Sequence, residues 1–426
     1  MRKWTMGTII AGLMLVSSCG GSYMTGELTG VPNRPVPDYY FPWGTVFIPS
    51  GVLYKGISDK DVNFSLDKRN RRVSVQAFYM DETEITNNEY RQFVYWVRDS
   101  IAAMILGDPY VIEDDEGNVY VNWEAVYELD WSNPEIQEQL SELYVEEEDR
   151  FWGKRELDVS KLIYAWMEID WQKAAANKAR IRQGLDPIPR RDLIIKHETP
   201  VYPDTLVWVR DFAYSYNEPM TRNYFWHPAF DDYPVVGVTW MQARAFTSWR
   251  TRLLNSWLIA IGNQPLDEFR LPTETEWEYA ARGGRMHSPY PWGGPYVRNA
   301  HGCILANFKP MRGNYPEDGG FYTVRADAYY PNDFGLWNMA GNVAEWTLDA
   351  YEESAEWFTH DLNTYMSYRP SEDEHPTRKR KVIRGGSWKD ILYYIQTGTR
   401  SYEYMDTAKS YIGFRCVSTF LGRTLE

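Results

Sequence analysis

Three short boxes decide where this chain starts its helices. Thr86 stands three residues before Glu89, Thr239 before Gln242 and Thr273 before Glu276. This is capping-box spacing: the Thr side chain accepts from a free backbone N–H, and the Glu or Gln reaches back to the cap. Phe93, Val94, Val97 and Ile101 recur after the first box, and Ala245, Phe246, Trp249 and Leu253 after the second. The third box has Pro272 beside it and Gly283-Gly284 as its stop. Long periodic stretches are otherwise scarce. Gly44-Thr-Val-Phe-Ile-Pro49 reads as a short strand ended by proline, and residues 72–79 alternate like one half-buried strand. Aromatic residues make up 16% of the chain, with 19 Trp and 32 Tyr. Large rings of that number suit a fold in which they fill space between irregular loops. The expectation is a mixed α+β fold, low in regular secondary structure.

Between the first two capped helices lies a long insertion, about residues 103–232, with helices expected over 134–148 and 162–183. Its first half is acidic. From Asp108 to Arg150 there are 15 acidic residues and one basic residue, a local charge equal to the −14 of the whole protein. Its second half turns basic, with Lys173, Lys178, Arg180, Arg182, Arg190 and Arg191. An acidic run is either a solvated face or a docking surface for a basic partner, and composition leaves both open. The overall acidity, 45 Lys+Arg against 59 Asp+Glu, excludes a nucleic-acid binder, which needs a basic face.

The N-terminus reads as a processing segment. Arg2 and Lys3 precede a nine-residue apolar stretch from Thr8 to Val16. As a helix that stretch rises only about 14 Å, too little to span a bilayer. Val16-Ser17-Ser18-Cys19 has the layout of a lipobox, with Cys19 as the lipidated residue, against the plainer alternative of a secretory signal with an incidental cysteine. Gly20 follows, with no aspartate retention signal, so the expected address is the periplasmic face of the outer membrane. The domain plan is a signal peptide over 1–18, anchor and tether over 19–42, and one domain over 43–422 carrying the insertion.

Five motifs occur in an order that narrows the family. They are residues 80–94, 233–240, 270–284, 335–346 (Gly-Leu-Trp-Asn-Met-Ala-Gly-Asn-Val-Ala-Glu-Trp) and Arg384-Gly-Gly-Ser-Trp388. Together with Ile412-Gly-Phe-Arg-Cys416 they resemble the FGE-sulfatase (formylglycine-generating enzyme-like) family. The resemblance implies a C-type-lectin-like mixed fold. It also implies that two cysteines, five residues apart after the Gly-Gly-Ser-aromatic turn, hold copper in catalytic members. This chain carries Asp390 and Ile395 there. Copper(I) needs soft thiolates, which a carboxylate and an aliphatic side chain cannot replace. The chain is therefore expected not to be an enzyme and to use neither copper nor iron. Its six scattered histidines also lack a three-His iron cluster or zinc spacing.

The resemblance further implies calcium. Asn338, Gly341, Val343 and Glu345 match one family site, offering amide, carbonyl and carboxylate oxygens of the hard type calcium takes. The alternative is that Glu345 only satisfies buried N–H groups. Asn307, the Phe308 carbonyl and Asp318 resemble a second site. Cys416 matches a cysteine that is paired in catalytic relatives, but Thr247 stands at the partner position, so a buried free thiol is expected; Cys303 is left unassigned. Ser387, Arg384 and Arg415 read as structural, and residues 378–381 as a solvated basic loop.

Residues 152–158, 201–208, 214–228 and 396–413 are similar to the GldK/PorK family of gliding-motility lipoproteins in the type IX secretion system. That similarity implies a noncatalytic ring component beneath the outer membrane, with self-association and a GldN/PorN-like periplasmic partner. The rival readings are a stand-alone lectin-like ligand-binding lipoprotein and an FGE-type oxidase. A very large complex with a second protein favours the first reading, and product formation on a peptide thiol the last.

Overall fold

The computed structural model describes residues 40–57, 70–215, 218–371 and 373–422. The expected signal peptide, Cys19 and all but the end of the tether lie outside the described residues.

All three capping boxes form. Thr86 opens α1 (Asn87–Leu106). The basic half of the insertion carries α2 (Trp171–Arg182). Thr239 opens α3 (Trp240–Ala260) and Thr273 opens α4 (Glu274–Arg282), which stops on Gly283 in the left-handed conformation at φ 58°.

Two four-stranded sheets carry the domain. In the first, β1 (Thr45–Ile48) pairs with β4 (Phe78–Asp81), then β14 (Val417–Thr419), then β9 (Phe269–Arg270), all antiparallel. In the second the order is β12 (Ser401–Tyr404), β11 (Arg380–Arg384), β10 (Ala344–Ala350) and β13 (Ile412–Gly413). Three two-stranded ribbons complete the set: β2 (Gly51–Lys55) with β3 (Arg71–Val75), β5 (Val111–Glu113) with β6 (Val119–Val121), and β7 (Ile163–Ile169) with β8 (Ile194–Pro200).

Tyr90, Phe93, Phe246, Trp249, Trp346 and Phe414 form one aromatic core between α1, α3 and the second sheet. Trp277 of α4, with Phe78, Met80, Leu336 and Val417, forms another against the first sheet. Burying each such ring contributes roughly 1.5–3 kcal/mol, so the rings hold together a fold whose strands are only two to seven residues long.

Four expectations need correction. Residues 72–79 form two strands, broken at Gln76-Ala77, because Phe78–Asp81 is buried on both faces and joins another sheet. The helix expected over 162–183 is a strand followed by a helix. Tyr164 and Trp166 are buried while Ile163, Ala165 and Met167 are exposed, a period of two, and Asp170 then caps α2. The helix expected over 134–148 ends at Gln139: Asn133 and Pro134 start it, and 3-10 turns at Ser141–Leu143 and Glu147–Asp149 follow in place of its continuation. Finally, the run 378–381 is not a solvated loop throughout. Arg380 begins β11 and Lys381 is buried.

Candidate functional site

The residues singled out from sequence converge on a buried polar seam beneath the Gly-Gly-Ser turn. The β10 register sets its centre: Glu345 faces Arg384 of β11 on one side and Gly413 of β13 on the other. Two residues past Gly413, Arg415 places its guanidinium on the Glu345 carboxylate. Nε lies 2.8 Å from Oε2 and Nη2 2.7 Å from Oε1. The Trp277 indole donates to the same carboxylate at 2.7 Å. Arg384 pairs in turn with Glu278 of α4 and donates to the Thr399 carbonyl at 2.6 Å. Both arginines are thus internal ties between strand and helix, held in bidentate or multi-donor geometry that a lysine does not reproduce.

The two expected calcium sets, about thirty residues apart in sequence, are neighbours in space. The Asn342 N–H donates to the Asn307 carbonyl at 2.8 Å. A Cβ on Gly341 (φ 82°) would lie 2.1 Å from that same carbonyl oxygen, so only glycine fits this approach. The sets differ in how far their carboxylates are already engaged. Glu345 receives three donors, two of them from a cation, so an ion there would share its carboxylate with Arg415. Asp318 is buried and accepts only from backbone N–H groups, Phe308 at 2.9 Å and Gly320 at 3.0 Å. Among the described residues no Lys or Arg pairs with it, and burial raises its pKa above the usual carboxylate value. A buried carboxylate without a counter-cation, beside an amide side chain and a backbone carbonyl, is a donor set of the type calcium takes. The residues fit an ion better at Asn307, Phe308 and Asp318 than at Glu345. Among the described residues no three His, Cys, Asp or Glu side chains converge on one point.

Asn338 contributes differently from its expected role. Its Nδ2 donates to the Glu84 carboxylate at 3.2 Å and to the Arg325 and Ala326 carbonyls. Asn342 donates to the other Glu84 oxygen at 3.1 Å. Sequence reasoning missed Glu84. It lies two residues before the Thr of the first capping box and is fully buried. Burial first, and then the nearby Glu345 charge, push its pKa up to about 8 against the pull of Arg415.

At the positions where catalytic relatives are expected to hold copper, the structure is closed. Asp390 accepts from the Ser387 hydroxyl at 2.6 Å, which gives Ser387 a structural partner. Ile395 is fully buried among Tyr290, Ile304, Phe308 and Ala340. A Cβ on Gly386 would lie 2.9 Å from Ile395 Cγ2 and 2.7 Å from the Tyr394 carbonyl, so the turn lies flat on the 394–395 backbone. The cavity left between Arg384, Gly386, Asp390 and Tyr394 measures about 10 Å³, room for one water at most. Cys303 and Cys416 are free thiols, the first exposed and the second buried. Burial raises the Cys416 pKa well above normal, so it is an inert thiol.

Short strands, three boxed helices and irregular backbone closed over buried Arg–Glu ties define a mixed α+β domain with its signature residues on the inside. The chain belongs to the FGE-sulfatase family: the Sulfatase-modifying factor enzyme 1-like domain matches residues 41–420. The formylglycine-generating enzyme of Bos taurus is 27% identical over 400 residues, covering 92% of this chain and 78% of the relative. The inactive C-alpha-formylglycine-generating enzyme 2 of Bos taurus is 32% identical over 193 residues, 44% of this chain and 50% of that protein. Among solved structures, PvdO from Pseudomonas aeruginosa aligns with a TM-score of 0.45 at 16% identity, covering 88% of this chain and 94% of that one.

Proposed function

We propose that this protein is a noncatalytic, lipid-anchored structural component of the GldK/PorK type. In this reading Cys19 holds it to the periplasmic face of the outer membrane. The FGE-like domain is a rigid block and the insertion supplies contacts to a GldN/PorN-like partner. The observation that carries the noncatalytic part is the pair Asp390 and Ile395: neither side chain supplies the thiolate that copper(I) takes, and the space beside Asp390 admits about one water. The similarity of residues 152–158, 201–208, 214–228 and 396–413 to the gliding-motility lipoproteins supports the assembly role.

Two experiments test it. Crosslinking with mass spectrometry on intact envelopes is expected to return a second periplasmic protein attached to the insertion; return of no neighbour sinks the assembly role. The Cys19→Ala variant is expected to leave the membrane fraction, and unchanged fractionation refutes the anchor.

Calcium in this reading is held by Asn307, Phe308 and Asp318, where it supplies the positive charge that Asp318 otherwise lacks. EDTA is then expected to lower the melting temperature of the wild type and to leave that of Asp318→Asn unmoved. Identical melts of the wild type with and without EDTA show that no ion staples the fold.

A further inference from the structure

The insertion presents two largely exposed surfaces, and they are complementary. The first is the loop 145–156. Its base is closed: Tyr144 bridges Leu157 in antiparallel fashion, the Val145 N–H donates to the Glu156 carbonyl at 2.9 Å, and Leu143 and Tyr144 are buried in a local core. At its tip Phe151 and Trp152 stack with centroids 5.5 Å apart, and the two side chains are 64% and 86% exposed. Trp152 sits at φ 52°, a left-handed conformation that an L-residue adopts at a cost. Beside the rings Glu146, Glu147, Glu148 and Asp149 are all exposed. Among the described residues none of these four makes an ion pair. An exposed Trp held out on a closed loop and flanked by unpaired charge has the composition of an interface hot spot.

The second surface is α2. None of its twelve residues is buried. A helix of that length is marginal in water unless tertiary packing supports it. It carries Lys173, Lys178, Arg180 and Arg182 with no acidic residue, and exposes Trp171 and Ile181. Among the described residues none of these four cations forms an ion pair, and no ion pair joins the helix to the acidic loop.

We infer that the acidic aromatic loop 145–156 of one copy docks on the basic helix α2 of a second copy. Four carboxylates then meet four cations, which sets register and partner choice, and the indole supplies the desolvated centre. The two surfaces are different patches on one chain, so the contact is head-to-tail and propagates into a ring or an open filament. This inference rests on the structural-component reading above, and it names the surfaces that reading would use.

Charge exchange tests it on the full-length protein in detergent, with sedimentation velocity as the readout. Wild type is expected to self-associate, and less so as salt rises. The variant E146K/E147K/E148K/D149K and the variant K173E/K178E/R180E/R182E are each expected to weaken association by at least about tenfold. Mixing the two variants is expected to restore a complex. Trp152→Ala, which keeps every charge, is expected to shorten the assemblies without changing the melting temperature. A monomeric wild type, single variants that assemble normally, or a mixture that stays apart overturns the head-to-tail contact. If the loop variant keeps self-association yet loses its envelope crosslink to a second protein, the loop docks that protein instead; the inference then fails while the assembly reading survives.

Discussion

Glu345 and Glu84 are buried carboxylates whose partners come from distant parts of the chain. The set Asn338, Gly341, Val343 and Glu345 was legible only through the family resemblance that implies it. That Arg415 would occupy Glu345, or that Glu84 would lie under Asn338 and Asn342, was not, because both partners come from elsewhere in the chain. Glu345→Ala leaves the Arg415 guanidinium buried and uncompensated. It is expected to cost about 3–5 kcal/mol in denaturant unfolding, with or without EDTA. A loss seen only when calcium is present would instead assign Glu345 to an ion. Glu84 gives a pH signature. Its folded pKa of about 8 lies above the ordinary carboxylate value of 4.5. Between those two values the native state holds a proton that the unfolded chain has released, so stability falls as pH rises through that window and is level outside it. The drop is expected to be on the order of a few kcal/mol, and Glu84→Gln is expected to flatten it. A variant that keeps the wild-type slope between pH 5 and 8 would assign the effect to another group.

Elements were readable where local chemistry alone decides them. The three Thr boxes gave helix starts to the residue, because each closes within its own first turn. The 162–183 stretch is not one helix, because a seven-residue strand and a twelve-residue helix join there with only Asp170 between them. The β7–β8 ribbon meets the core through buried Tyr164 and Trp166, and Glu168 ties it to α3. Glu168 bonds His197 at 2.6 Å, Arg244 at 2.5 Å and Arg369 at 2.7 Å. Burial opposes its ionisation, but these three partners hold its pKa down at about 2. Trp166 stacks on His197 at 4.3 Å; Arg244 lies over both Trp166 and Trp240, and Lys381 lies 4.1 Å over Trp240. The result is a cation–aromatic ladder from insertion to sheet, which no local pattern could announce. Glu168→Gln is expected to loosen the ribbon first. Because Arg369 is 44% exposed, the cost is about 1–2 kcal/mol rather than the value for a fully buried pair. Faster proteolysis within residues 163–200 and slower change elsewhere is the expected pattern, and uniform cleavage would show that the ribbon does not open on its own.

At the scale of the whole molecule, the absence of thiols at positions 390 and 395 coincides with close packing around the Gly-Gly-Ser turn. Gly386 lies against Tyr394 and Ile395, Lys309 donates its N–H to the Asp390 carbonyl at 2.8 Å, and Tyr290, Ile304 and Phe308 pack around Ile395. The absence of thiols could be read directly from the motif. The closure depends on how loops from residues 307, 342 and 386 meet, so it could not. On the noncatalytic reading proposed above, adding ligands alone does not confer the chemistry. The double substitution D390C/I395C supplies two thiols on one turn and is expected to take up copper(I) in a competition titration. It is still expected to form no aldehyde on a peptide thiol, because a substrate cannot share about 10 Å³ with the metal. Turnover by that variant would show that the seam opens to admit a peptide, and turnover by the wild type would show that the domain works without the missing sulfurs.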